Sequence, residues 1–385
     1  MLIFVVPVVS ARANVITDEN RAQGSFGWSQ TAEGLHDIQG YAWPLSARPG
    51  EALGLHVSSA GGARYRVEIY RVGFYGGVGG RLITCLPACN ADETGLQAPD
   101  PPPPDVDGQT AANWPMSERI VIGSGWASGY YVARLVLTSG ANSGQATAVP
   151  FIVRSPAGTL STVLVQVPVN TWEAYNPWGS KSLYPLNSSN GAPANRVSFL
   201  RPFSLAPGAP MRIEQSPAWS EYPLVRFLEA YGYDVSYQTD LDTDREPAEL
   251  ARHALVVSAG HDEYWTASMR NAFEDARDQG VNLAFMGANA SYWQVRYENY
   301  QQTMVGYKVL PDPNPDPAAR TVKWRQIGRP ECRLVGVQFH ANEVGSGGDY
   351  QVTTAGARDP WLAGTGLGAG SVLPGLVKTE WDSVQ

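Results

Sequence analysis

The period of the hydrophobic pattern changes at Ser155-Pro156-Ala157-Gly158, and no single layer of secondary structure accommodates both halves of the chain. Before that point the apolar runs are short and broken by turn residues. Tyr65-Arg66-Val67-Glu68-Ile69-Tyr70-Arg71-Val72 alternates as a half-buried strand does, and the glycines from Gly73 to Gly80 follow it as a turn. Tyr130 to Leu137 and Val149 to Val153 read as further strands. Short strands at such spacing predict an antiparallel β-sandwich over residues 15–154. Asp100 to Asp105, with four consecutive prolines, is an extended loop.

Beyond the junction, strands and helices alternate. Residues 162–167, 234–237, 253–258 and 281–286 are strand candidates. Tyr222 to Tyr231 has helical spacing through Leu224, Phe227, Leu228 and Tyr231, with Gly232 as a stop. Thr266 is placed to cap a helix whose buried stripe is Met269, Phe273 and Ala276, ending at Gly280. This order predicts an α/β domain over 160–385 with a mostly parallel sheet covered on both faces. Residues 311–317 read as a loop, Val335 to His340 as a late strand, and the C-terminal end of the domain as cut short.

At 385 residues two domains are expected. The net charge of −8 excludes the positive field of a nonspecific nucleic-acid binder. No apolar run is long enough for a membrane-spanning helix. The apolar start, Met1 to Val9, followed by Ser10-Ala11-Arg12-Ala13, reads as the remnant of a secretion signal over 1–14; a first β-strand is the alternative. Export is the expected localisation, and the cytoplasm otherwise. In an exported chain Cys85 and Cys89 would form a small disulfide; otherwise they are free thiols. Their spacing is a poor zinc signature.

Ligands of open α/β sheets bind beyond the carboxyl ends of the strands. Three segments occupy those ends: 170–184, Gly260-His261-Asp262-Glu263-Tyr264-Trp265, and Gly287-Ala288-Asn289-Ala290-Ser291-Tyr292-Trp293-Gln294. His261, Asp262 and Glu263 put three titratable groups in one turn after an apolar strand. Burying them calls for a bound cation, a reaction or turn amides. Asp262 is the most structural of the three, as a cap for the next helix. No nucleophile elbow, Walker loop or dinucleotide fingerprint occurs. Nothing local supports a Cys332–His340 dyad. Asp240, Asp242 and Asp244 lack the glycine and final glutamate of a calcium loop and read as a solvated loop.

Tyr65 to Gly77, Thr171-Trp172-Glu173-Ala174-Tyr175-Asn176, Gly260 to Trp265 and Gly287 to Gln294 together resemble the large-subunit family of N,N-dimethylformamidase. The resemblance covers residues 15–385. It implies a β-sandwich followed by an α/β domain similar to glutamine-amidotransferase-like folds. It implies a mononuclear ferric ion held by Tyr175, Tyr184 and Glu263, with His261 and Asn289 completing the catalytic site. Phenolate and carboxylate are hard donors that suit ferric iron. His261 would move the proton of the attacking water and Asn289 would bind the oxyanion. Trp172, Trp178, Trp265 and Trp293 would shape a small pocket, or simply pack. The implied activity is hydrolysis of the C–N bond of a small amide, with a small subunit or a homo-oligomer as partner. The competing reading is an exported binding or structural module with an inactive α/β domain, possibly one directed to carbohydrate.

Overall fold

The computed structural model describes residues 13–29, 37–204, 221–339, 343–344, 348–377 and 380–381. The secretion-signal reading of 1–14 falls almost wholly outside them. The chain up to Gly336 forms one compact unit, and Val337–Gln385 forms a second. The fold is mixed α/β, with several antiparallel and parallel sheets and few helices.

In the first unit a short helix, α1 (Val15–Glu19), precedes eight strands: β1 (Ile38–Trp43), β2 (Ser46–Ala47), β3 (Ala52–Ser59), β4 (Tyr65–Val72), β5 (Gly80–Leu86), β6 (Glu118–Val121), β7 (Gly129–Leu137) and β8 (Ala146–Val153). They form two sheets, β1-β3-β6 and β2-β8-β7-β4-β5, antiparallel except where β2 meets β8. One apolar core fills the space between the sheets. It contains Ile38, Leu55 and Val57 from the smaller sheet and Val67, Ile69, Leu135 and Phe151 from the larger. β3 shows strict alternation of buried and partly buried residues. β4 does not: from Val67 onward both faces are buried, because it is an inner strand and Glu68 on its second face is covered by Arg66, Tyr70 and Arg134. Cys85 and Cys89 are joined as a disulfide, and Cys332 is an exposed thiol.

The α/β layer starts with β9 (Val163–Val167) and α2 (Val169–Tyr175), passes through β10 (Arg196–Ser198) and α3 (Tyr222–Ala230), and continues with β11 (Val235–Thr239), α4 (Asp240–Arg245) and β12 (Leu255–Ala259). Then come β13 (Tyr264–Trp265), α5 (Ala267–Asp278), β14 (Asn282–Met286), β15 (Trp293–Gln294), β16 (Arg296–Glu298), β17 (Thr303–Val305) and α6 (Cys332–Val335). β11, β9, β12 and β14 form a parallel sheet in that order. α5 follows its sequence signals: the Thr266 hydroxyl accepts from the Met269 N–H, and Met269, Phe273 and Ala276 are buried.

Four expectations need correction. Val335 ends the helical turn α6, which Gly336 closes at φ 86°; no strand occupies 337–339, and His340 lies outside the described residues. α3 buries Val225, Leu228 and Glu229, while Phe227 and Tyr231 face out. The helix is rotated because Glu229 meets the guanidinium of Arg71 inside the protein. Asp240 and Asp242 are buried in α4: the Asp240 carboxylate accepts from the Asn170 N–H, and Asp242 forms a capping box with Thr239. β14 is covered less than a central strand, since it pairs on one side with β12 alone, and Met286 is exposed.

The second unit contains two antiparallel pairs. Glu343–Val344 pairs with Glu380–Trp381, and Gly348–Gln351 pairs with Val372–Val377.

Candidate functional site

Two glycines set the geometry at the carboxyl edge of the parallel sheet. β12 leaves the sheet through Gly260, at φ 61°. A Cβ on Gly287, which follows β14, would lie 1.5 Å from the Gly260 carbonyl oxygen. The two backbones therefore cross in contact, and only glycine fits at 287. Past the crossing the loops stay joined: the Ser291 N–H donates to the Asp262 carbonyl, and the Tyr292 and Trp293 N–H groups both donate to the Glu263 carbonyl. β13 and β15 then pair in parallel.

Asp262 points inward. Its carboxylate accepts from Gln166 Nε2 (2.7 Å), Ser258 Oγ (2.8 Å) and Trp265 Nε1 (2.7 Å). Burial pushes its carboxyl up to about 6 against those donors. It does not cap α5, because Thr266 does. Asp262 locks the turn and leaves His261 and Glu263 to face the site.

The Glu263 carboxylate, 3 % exposed, is the centre of convergence. The Tyr184 hydroxyl donates to its Oε2 at 2.7 Å and the Tyr175 hydroxyl to the same oxygen at 3.2 Å. The two tyrosine rings stack with centroids 4.1 Å apart. His261 Nε2 lies 3.2 Å from Glu263 Oε2 and 3.3 Å from the Tyr175 hydroxyl. The other ring nitrogen, Nδ1, is 3.0 Å from the Ala288 carbonyl. A carbonyl only accepts, so Nδ1 carries the hydrogen and Nε2 is left to take or give a proton. The Thr171 hydroxyl accepts from the Glu263 N–H and ties the turn to α2, whose last residue is Tyr175.

Two further residues belong to this site that the sequence reading did not single out. Lys308 Nζ donates to the Tyr264 hydroxyl (2.6 Å), which donates to the Tyr184 hydroxyl (2.6 Å). The same ammonium sits 3.3 Å from the Tyr184 ring centroid and 3.9 Å from Glu263 Oε1. Tyr264 lies in the Gly260–Trp265 segment, next to the titratable Glu263. Lys308 follows β17 at a distance of 45 residues from Glu263, with no local pattern around it. Burial would raise the Glu263 carboxyl; the His261 hydrogen bond, Lys308 and Tyr184 outweigh that and hold it below its ordinary value. Burial, with Glu263 opposing and Lys323 reinforcing it, brings the Lys308 ammonium down to about 8. Burial, then Tyr264 and Glu263, push the Tyr184 phenol well above its usual range.

Asn289 stands on the neighbouring loop at φ 54°, and its side chain hydrogen-bonds to none of the other four predicted residues. Of the four tryptophans, Trp293 borders the cluster, 5.5 Å from Lys308 Nζ. Trp265 is buried on Phe273, Trp172 leans on Tyr130 and Phe203, and Trp178 donates to Gln39. These three pack elsewhere.

Among the described residues no three His, Cys, Asp or Glu side chains form a metal-binding group. The convergence here is of phenol oxygens on one carboxylate, a different donor set. Oxygens held about 2.0–2.2 Å from one ion at right angles lie roughly 2.8–3.1 Å apart. The separations of 2.7 and 3.2 Å are those of hydrogen bonds and also lie close to that range, and phenol and carboxylate oxygens are the hard donors such an ion takes.

A family model described as "N,N-dimethylformamidase beta subunit-like, C-terminal" matches residues 66–385. The chain belongs to that family, whose description is that of one subunit of a hydrolase. No curated protein matches it.

Proposed function

We propose that this chain is an amidohydrolase subunit that cleaves the C–N bond of a small amide at the Glu263 cluster. One observation carries the reading: two phenol oxygens and His261 Nε2 converge on a single oxygen of a buried carboxylate. In this proposal Tyr175, Tyr184 and Glu263 hold a ferric ion. When bound, that ion supplies Lewis acidity toward a carbonyl oxygen.

The side chains around it account for the remaining steps. His261, 27 % exposed, meets solvent and substrate. Its Nε2 takes a proton from the attacking water and delivers one to the departing nitrogen. Its Nδ1 bond to the Ala288 carbonyl fixes the ring. Asn289 reaches the developing oxyanion from the facing loop. The run Lys308–Tyr264–Tyr184–Glu263 orients each hydroxyl in one direction, so Tyr184 presents its oxygen at a fixed place.

The two-sheet region is read as a β-sandwich, and the parallel sheet as glutamine-amidotransferase-like. A small subunit or a second copy is the proposed partner, which the family's beta-subunit description supports. The Cys85–Cys89 disulfide supports export.

Metal analysis with a visible spectrum tests the core of the reading. The purified chain is expected to carry iron stoichiometrically and to absorb visible light, because ferric phenolate does. Glu263→Ala is expected to lose both. A colourless, iron-free wild type leaves the binding-module reading in its place. Iron and colour retained in Glu263→Ala remove Glu263 from the site.

A further inference from the structure

We infer that the preferred amides carry a carboxylate, received by the Lys323 ammonium beside Trp293; this rests on the amide-hydrolysis reading of the Glu263 cluster. The charges around the site are unevenly matched. Glu263 is met by Lys308 and His261. The Arg325 guanidinium is cancelled by Glu331 at 2.6 Å. The ion pairs beside Lys323, Lys308–Glu263 and Arg325–Glu331, do not include it, although the chain as a whole is acidic at −8. Its positive charge meets aromatic rings in place of a carboxylate.

Lys323 is also held in place. Its backbone bridges Trp293, and its N–H donates to Gln326 Oε1. The ammonium sits 5.0 Å from the Tyr292 ring centroid and 5.6 Å from that of Trp293. The Lys308 ammonium is 5.5 Å from the same Trp293 centroid. Trp293 thus carries the site lysine and a second lysine on one indole. The N–H groups of Tyr292 and Trp293 donate to the Glu263 carbonyl, so this platform is fixed relative to the reacting centre. A substrate with its carbonyl at Glu263 and His261 directs a substituent across Trp293 to Lys323. A carboxylate there gains a charge-assisted hydrogen bond, whereas a methyl group leaves the ammonium unmatched.

N-formylglycine and N-methylformamide share the formyl amide and differ in the carboxylate. In both, the water oxygen bonds to the formyl carbon, the C–N bond breaks with its electron pair leaving on nitrogen, and nitrogen takes a proton. The products are formate with glycine or with methylamine. The iron-loaded full chain is expected to favour N-formylglycine by about 10- to 100-fold in kcat/KM, mainly through KM, as one charged hydrogen bond provides. Lys323→Gln is expected to erase that ratio, and Lys323→Arg to keep most of it. A wild-type ratio near one, or a ratio that Lys323→Gln leaves unchanged, overturns the inference. Calorimetric titration with N-formylglycine supplies a readout without turnover. If neither amide is cleaved, the hydrolase reading fails by itself. Binding that Lys323→Gln weakens then still supports the anion site, and absent or unaltered binding overturns it.

Discussion

Glu229 and Glu263 are buried to the same degree, at 2 % and 3 % exposure, and their surroundings are built on opposite plans. Glu229 receives both terminal nitrogens of Arg71, at 2.7 and 3.0 Å, with further donors from Asn20 and Tyr237. Arg71 also donates to the Tyr75 hydroxyl and the Ser128 carbonyl, and its Nε–H alone is left without a partner. A guanidinium never gives up its charge in a protein, so this pair is closed. It joins β4 to α3, and both Glu229 oxygens are filled by two donors each. Glu263 instead meets phenols, an imidazole and an ammonium 3.9 Å away. Each phenol and imidazole proton is exchangeable for a cation or a reacting proton. Burial alone does not separate a structural carboxylate from a functional one; the lability of the partner does.

The comparison breaks if the two glutamates respond alike. Glu229→Ala leaves the Arg71 guanidinium buried and unmatched, so it should destabilise the chain by about 3–5 kcal/mol in urea unfolding. Glu263→Ala should cost less, about 1–2 kcal/mol, because His261 and Lys308 retain contact with water. Equal losses would make Glu263 another structural clamp. Thr171→Val removes the acceptor of the Glu263 N–H and should cost about 1 kcal/mol, read by the same titration.

A milder probe is Glu246, whose carboxylate is held down to about 2, chiefly by hydrogen bonds from Arg154 with Arg48 adding to them. A depressed folded value means that its contribution is complete above the unfolded carboxyl range, near 4.3, and fades as pH falls toward 2. Glu246→Gln should therefore narrow its melting-temperature gap to wild type between pH 5 and pH 3. A gap that stays constant would show that arginine clamping at this exposed position adds nothing.

The elements were legible where burial is apolar and regular. The strands at 65–72, 130–137 and 162–167 and the helix after Thr266 lie within a residue or two of their expected bounds, although β4 buries both faces where its alternation predicts one. Legibility failed where charged groups are buried. Glu229 turns α3 away from its apolar stripe, and Asp240 and Asp242 place an acidic segment inside. A periodicity argument counts such residues as solvent-facing, and only their distant partners reveal otherwise. At the site, His261 and Glu263 stood out because titratable groups followed an apolar strand. Tyr175 and Tyr184 came from the family resemblance, and the structure brings both to Glu263. Lys308 had neither signal, since a lone lysine reaches Tyr264 only through the tertiary fold.

The contact between Gly260 and Gly287 leaves no free space where two of the site's three segments cross. Those two segments behave as one casting, whose spacing cannot drift by single substitutions without breaking the crossing. Sequence variation is therefore channelled to the remaining wall, the residues between Tyr175 and Tyr184. Libraries aimed at altering the site should randomise those residues and leave both tyrosines and both glycines untouched.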